Sequence, residues 1–212
     1  MTWTSAFGNA CGKLLSAIVR AMALARISPN VLTFMGLVIN VIAALCFGYA
    51  TADTQRRMFF YAGLVIFGAG FFDLVDGRVA RASNQVTRFG AFFDSVLDRY
   101  SDAALFFGLL VFYARGNRFF YVVLTALVMI SSVMVSYTRA RAESLIGSCK
   151  VGFMERPERL VLLIIGALAN RMAPVLWVIA VLSTITVIHR MYYTWQKTQI
   201  MEAGGTGNAG LS

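Results

Sequence analysis

Long apolar blocks alternate with short charged segments along this chain, over residues 31–50, 58–72, 89–113, 119–137, 160–169 and 174–188. Blocks of this kind, in place of the short alternations of a soluble core, predict helices that cross a membrane. A crossing helix needs about 20 residues. The second and fifth blocks are therefore expected to extend into their charged flanks, the second through Asp73 and Asp76, the fifth from Pro157 or earlier. Charge so close to lipid is tolerated only where it faces protein or a wet cavity.

Ahead of these blocks, Trp3, Phe7, Cys11, Leu14, Leu15, Ile18 and Met22 recur at helical spacing, with Lys13, Arg20 and Arg26 among them. That stripe predicts an amphipathic helix lying in the membrane interface over residues 1–27, and it is unlike a cleaved signal peptide. Ser28, Pro29 and Asn30 break it. Residues 28–195 then read as one membrane domain, and 196–212, ending in EAGGTGNAGLS, as a flexible tail. The expected fold is all-α and integral to the membrane: six transmembrane helices plus the N-terminal interfacial helix.

Composition agrees. Of 212 residues, 58% are hydrophobic and 14% charged, where a soluble domain carries about 25% charged; mean hydropathy is +0.70. The net charge of +9 lies between apolar blocks, not on a soluble face. It points to membrane orientation and anionic partners, not to nucleic acid. Thirteen Lys and Arg fall on one side of the predicted spans and five on the other, with Arg99 inside a span. The richer side is cytoplasmic, so both termini and the acidic stretch should face the cytoplasm from the cell (inner) membrane. Cys11, Cys46 and Cys149 are far apart and read as reduced, packed thiols.

Within the greasy chain, acids gather. Asp73 and Asp76 are three apart and share a face at the end of the second helix; Asp94 and Asp98 are four apart and share one near the start of the third. Asp102 either continues that face or is a solvated helix residue. A short connection makes the two helices antiparallel and adjacent, so the carboxylates can converge. At low dielectric they would repel one another or take up protons unless a cation were present. Oxygen ligands without Cys or His suit Mg²⁺, Mn²⁺ or Ca²⁺ better than zinc. Two such ions would make a clamp for a phosphoryl group. Gly77, Ala80 and Gly90 leave room for a ligand, and Arg78 and Arg81 suit phosphate. A divalent-cation transporter, the alternative outside enzymes, would spread its acids over several spans through the membrane depth.

The run Asp73-x-x-Asp76-Gly77-x-x-Ala80-Arg81, eight residues, then Gly90-x-x-x-Asp94-x-x-x-Asp98 resembles the CDP-alcohol phosphotransferase signature at each of its fixed positions. The resemblance implies two ions, Mg²⁺ or Mn²⁺, on Asp73, Asp76, Asp94 and Asp98. It implies that Asp76, Gly77, Ala80, Arg81 and Gly90 receive the CDP group of CDP-diacylglycerol. Asp98 would be the catalytic base, CMP the leaving group, and the assembly a homodimer among membrane lipids.

The acceptor must be read elsewhere. Arg139, Arg141, Lys150, Arg156 and Arg159 fall on the same side as the acids, and Arg190 ends the sixth block at that level. Such a cluster suggests a phosphorylated acceptor, held by forked guanidinium donors. Arg139, Arg159 and Arg190 are expected to form the pocket, whereas Arg141 and Lys150 serve equally well for topology and headgroup contact. Tyr137-x-Arg139-Ala140-Arg141-Ala142-Glu143 and Glu155-Arg156-Pro157-Glu158-Arg159 resemble the phosphatidylinositol-phosphate synthase branch of the family, where the first basic position is often Lys. That implies Arg139 and Arg159 on the phosphate of inositol 1-phosphate, with Arg190 assisting. Glycerol 3-phosphate is the rival acceptor. Glu143, Glu155 and Glu158 are expected to pair with the arginines, Arg99 to meet an acid or snorkel, and His189 to be inert.

Overall fold

Six helices account for nearly all of the described chain. The computed structural model describes residues 28–82 and 87–206, with 74–82 and 204–206 as helical backbone. The helices are α1 (Pro29–Tyr49), α2 (Gln55–Ala82), α3 (Arg88–Arg115), α4 (Phe119–Ile146), α5 (Arg156–Leu168) and α6 (Met172–Thr206). No strand occurs among the described residues. The interfacial helix expected over 1–27 lies outside them.

Local chemistry sets the starts. Ser28 caps α1, its Oγ accepting from Val31 N–H at 3.4 Å, and Pro29 follows where no N–H is needed. Thr87 caps α3, its Oγ1 accepting from Gly90 N–H at 2.9 Å. At α5, Pro157 occupies the first turn and Glu158 accepts from the Glu155 N–H at 3.1 Å.

α1 packs against both α2 and α3, α4 against α3 and α6, and α5 against α2 and α6. Where α1 meets α3 the backbones touch: a Cβ on Gly108 would lie 2.3 Å from the Ala44 carbonyl oxygen. Phe59 sits edge-on between Phe47 and Phe112, with centroids 4.9 Å apart on each side. Leu105, Leu109, Leu163, Leu176 and Ile179 extend this core. α2 and α3 run antiparallel as expected, Phe59 facing Phe112 at one end and Asp73 approaching Asp98 at the other. Yet each of them leans on α1, and they meet through side chains.

Outward-facing Phe34, Phe67, Phe107, Phe119 and Trp177 are exposed, the surface a lipid solvent requires. α1, α4 and the Met172–Ala203 part of α6 are long and apolar enough to cross a membrane. α2 and α3, at 28 residues each, have the length but carry the charge. α5 is shorter than expected. Its 13 residues span about 20 Å, because Pro157 limits it at one end and Asn170, at φ 52°, turns the chain at the other. α6 is longer than expected: the tail placed from residue 196 is helical through Thr206. The Thr194 and Thr198 hydroxyls fold back onto Arg190 and Thr194 carbonyls, and no helix breaker intervenes before Gly204. Residues 207–212 lie outside the described stretch.

Candidate active site

Asp94, Asp98 and Asp102 follow one another turn by turn on α3, as their spacing dictates. Asp73, on α2, reaches them beside Gly36 of α1, where a Cβ would lie 2.9 Å from its Oδ1. What lies between these acids is an arginine. Arg156 Nη1 is 2.6 Å from Asp73 Oδ2 and 2.9 Å from Asp98 Oδ1, and its Nε is 3.6 Å from Asp102 Oδ1. Asp94, half-buried, shares the electrostatic neighbourhood of Asp73 and Arg156. Asp76, Gly77, Ala80 and Arg81 lie on the helical backbone of α2, and their side chains are outside the described set. Gly90 stands in the first turn of α3, where a Cβ would meet Thr87 Oγ1 at 3.0 Å and Asn30 Oδ1 at 3.3 Å.

The donor set suits a hard divalent ion: carboxylate oxygens from two helices turn toward one cationic point. Among the described residues no three acids already stand at ligating spacing. Arg156 stands between Asp73 and Asp98.

The basic side is built by three other elements. Arg159, one turn along α5 from Arg156, is 2% exposed and donates through Nη2 and Nε to Asp102 Oδ2 at 2.5 and 3.2 Å. Its Nη1 is buried without a partner. Arg190 on α6 is 1% exposed and donates to the Val135 carbonyl at 2.6 Å, the Val151 carbonyl at 2.9 Å and Glu155 Oε1 at 2.9 Å. Arg139 on α4 donates to the same Glu155 oxygen at 2.7 Å and to Glu143 at 3.1 Å. The connection from α4 to α5 is pinned on α6: Met154 N–H donates to Thr186 Oγ1 at 3.1 Å. Gly152 there has φ +99°, and a Cβ on it would lie 2.5 Å from Thr186 Cγ2.

These groups line an open cavity of about 140 Å³, formed by Asp98, Asp102, Arg139, Glu155, Arg156, Arg159 and Arg190, among others. The three arginines expected at the acceptor pocket thus come together, beside the acid expected to act as base. Asp102 proves buried and paired rather than solvated. Glu143 and Glu155 pair with arginines as expected, while Glu158 caps α5 instead. Arg99 hydrogen-bonds the Ser95 carbonyl and hydroxyl, and its charge acts on nearby Asp94. Arg141, Lys150 and His189 are exposed. Sequence reasoning missed Arg156 as a site residue. One signal pointed to it: Arg156 and Arg159 are three apart on a helix and so share a face.

Fold and site together define an all-helical membrane enzyme in which an acid cluster and an arginine-lined cavity form one chamber. The chain belongs to the CDP-alcohol phosphatidyltransferase family, whose model matches residues 26–195. It is 37% identical over 187 residues to the archaetidylinositol phosphate synthase of Pyrococcus horikoshii, covering 88% of this chain and 93% of that one. The crystal structure of Mycobacterium tuberculosis phosphatidylinositol phosphate synthase with CDP-DAG bound superposes with a TM-score of 0.76 at 31% identity, covering 86% of this chain and 94% of that one. The same synthase in complex with manganese and citrate gives 0.71 at 32%, covering 85% and 88%.

Proposed function

We propose that this protein transfers the phosphatidyl group of CDP-diacylglycerol to a hydroxyl of inositol 1-phosphate, yielding phosphatidylinositol phosphate and CMP. The observation that carries this reading is the shared cavity. Asp98 lies on it together with Arg139, Arg159 and Arg190, and the buried Arg159 Nη1 has no partner. A buried donor left unpaired is costly, and a phosphate oxygen would satisfy it.

In this reading Asp73, Asp76, Asp94 and Asp98 hold two divalent ions, Mg²⁺ or Mn²⁺. When bound, these neutralise the pyrophosphate of the donor and stabilise the leaving CMP. Asp76, Gly77, Ala80, Arg81 and Gly90 cradle the CDP group. Arg139 and Arg159 hold the acceptor phosphate, with Arg190 fixing the wall behind it, so that the acceptor hydroxyl is presented to Asp98. The Asp98 carboxylate takes the hydroxyl proton. The acceptor oxygen bonds to the lipid-bearing phosphorus as the bond from that phosphorus to the CMP oxygen breaks. The relatives' names support this assignment: both synthases make inositol phosphate lipids, and one binds CDP-DAG.

The same reading sets six helices in the cell membrane, α5 crossing only with the help of the connection that precedes it, with residues 28–195 as the membrane domain and 1–27 as an interfacial helix. Both termini and the chamber face the cytoplasm in this reading, which the charge asymmetry supports, and the working unit is a homodimer.

Metal-dependent CMP release from CDP-diacylglycerol, measured with inositol 1-phosphate, glycerol 3-phosphate and free inositol in turn, tests the proposal. Inositol 1-phosphate should support the fastest release. Faster release with another acceptor would reassign the substrate. No release with any of them, together with metal flux into liposomes, would replace the enzyme with a transporter.

A further inference from the structure

The geometry points to a second task for the start of α5. Arg156 is a resident counter-cation that neutralises the gap between Asp73 and Asp98, gives way when divalent ions arrive, and then turns into the arginine-lined cavity. Loading of metal and binding of the acceptor phosphate thereby strengthen each other. This inference rests on the reading of Asp73 and Asp98 as metal ligands.

Arg156 is where a metal would have to be. A single nitrogen, Nη1, contacts Asp73 Oδ2 and Asp98 Oδ1, from two different helices. A guanidinium and a divalent ion cannot share those oxygens, since like charges at contact distance repel strongly in a site screened from water. One of them must leave.

Beyond Asp73 and Asp98, Arg156 is held only loosely. Its Nε and the Asp102 Oδ1 it faces at 3.6 Å form a long ion pair in which neither atom makes a hydrogen bond, Asp102 being held by Arg159 through its other oxygen. Arg190 shows what a locked arginine looks like in this fold, with two backbone carbonyls in its grip. Moreover, Arg156 is the first residue of α5, and a cation at a helix N-terminus is electrostatically misplaced. Only the carboxylates offset that. Once an ion takes them, both repulsions drive the side chain away.

The place it goes to is already open. Arg156 lines the cavity with Arg139, Arg159 and Arg190, so a displaced guanidinium adds a fourth forked donor around an anion. An acceptor phosphate in that cavity would draw Arg156 out of the acid cluster, and by thermodynamic reciprocity would favour metal there to the same extent.

Binding of Mn²⁺ to the full-length protein in lipid nanodiscs, read by EPR without substrates, tests this. Arg156→Gln should bind Mn²⁺ about tenfold or more tightly than the unsubstituted protein, because a positive charge at the ion's position is gone. Arg156→Lys should fall between, since an ammonium is a compact point charge without the guanidinium's fork. In the unsubstituted protein, Mg²⁺ should increase the modification of Arg156 by phenylglyoxal, read by mass spectrometry of its peptide. Unchanged Mn²⁺ affinity in both variants, or labelling indifferent to Mg²⁺, overturns the counter-cation while leaving the metal ligands standing. Failure of every form to bind Mn²⁺ removes the metal ligands and this inference with them. Should Arg156→Gln not fold, the Lys variant and the labelling decide.

Discussion

Arg159 and Asp102 form an ion pair shut away from solvent, with two guanidinium nitrogens on one carboxylate oxygen at 2.5 and 3.2 Å. The pair joins the first turn of α5 to the middle of α3, and it holds Arg159 so that Nη1 remains free. Asp102 lies outside the family signature, yet it is the residue that orients the arginine at the cavity wall.

Removing one partner of a buried pair strands the other's charge, at a cost of about 3–5 kcal/mol. Asp102→Ala should therefore lower the thermal midpoint substantially, measured in detergent micelles. The double variant Asp102→Ala with Arg159→Met should recover much of that loss while failing to bind the acceptor. A single variant as stable as the parent would mean the pair contributes nothing.

Asp98 and Asp73 should separate by kinetics. Asp98→Asn is expected to lower kcat by about 10²–10⁴-fold, the usual worth of a general base, with a smaller loss of donor binding from its share in holding the ions. Asp73→Asn should weaken Mn²⁺ and donor binding together. Titration of CDP-diacylglycerol binding in both variants checks this, and equal loss of binding with equal loss of kcat in the two would leave Asp98 a metal ligand with no separate role as base.

Arg139 and Arg190 face the same glutamate but should fail differently. Arg139 is 39% exposed at its side chain, and partly exposed pairs contribute about 0–1 kcal/mol. Arg139→Ala should raise the acceptor KM while leaving donor KM and thermal stability nearly unchanged. Arg190→Ala would abandon the buried Val135 carbonyl, at about 1–3 kcal/mol, and the half-buried Val151 carbonyl, so stability should fall first. A loss of acceptor affinity in Arg190→Ala at unchanged stability would make Arg190 a direct ligand.

Gly152 carries the connection that delivers Glu155 and Arg156. Any side chain there is strained by the positive φ, at about 1–3 kcal/mol, and collides with Thr186. Gly152→Ala should lower both the thermal midpoint and the acceptor affinity, and a Thr186→Ser partner should relieve the collision but not the strain. Full activity in Gly152→Ala would show that the connection does not position the site.

Read alone, the amino-acid sequence determined the helices and the registers on them. Apolar blocks mark where water is excluded, Ser28, Pro29 and Asn30 mark where the first of them begins, and helical periodicity puts Asp94, Asp98 and Asp102 on one face. Charge asymmetry and the resemblance at Asp73 to Asp98 brought the acids and the arginines to one chamber. The contacts inside that chamber were decided only by the tertiary structure. Arg156 with Asp73 joins residues 83 positions apart, Arg159 with Asp102 joins residues 57 apart, and Arg190 reaches carbonyls 39 and 55 residues away. Periodicity says which residues share a face but nothing about which face meets which. That is settled by close packing, as where Gly108 lets α3 lie against the backbone of α1, and by the need of each buried charge for a partner.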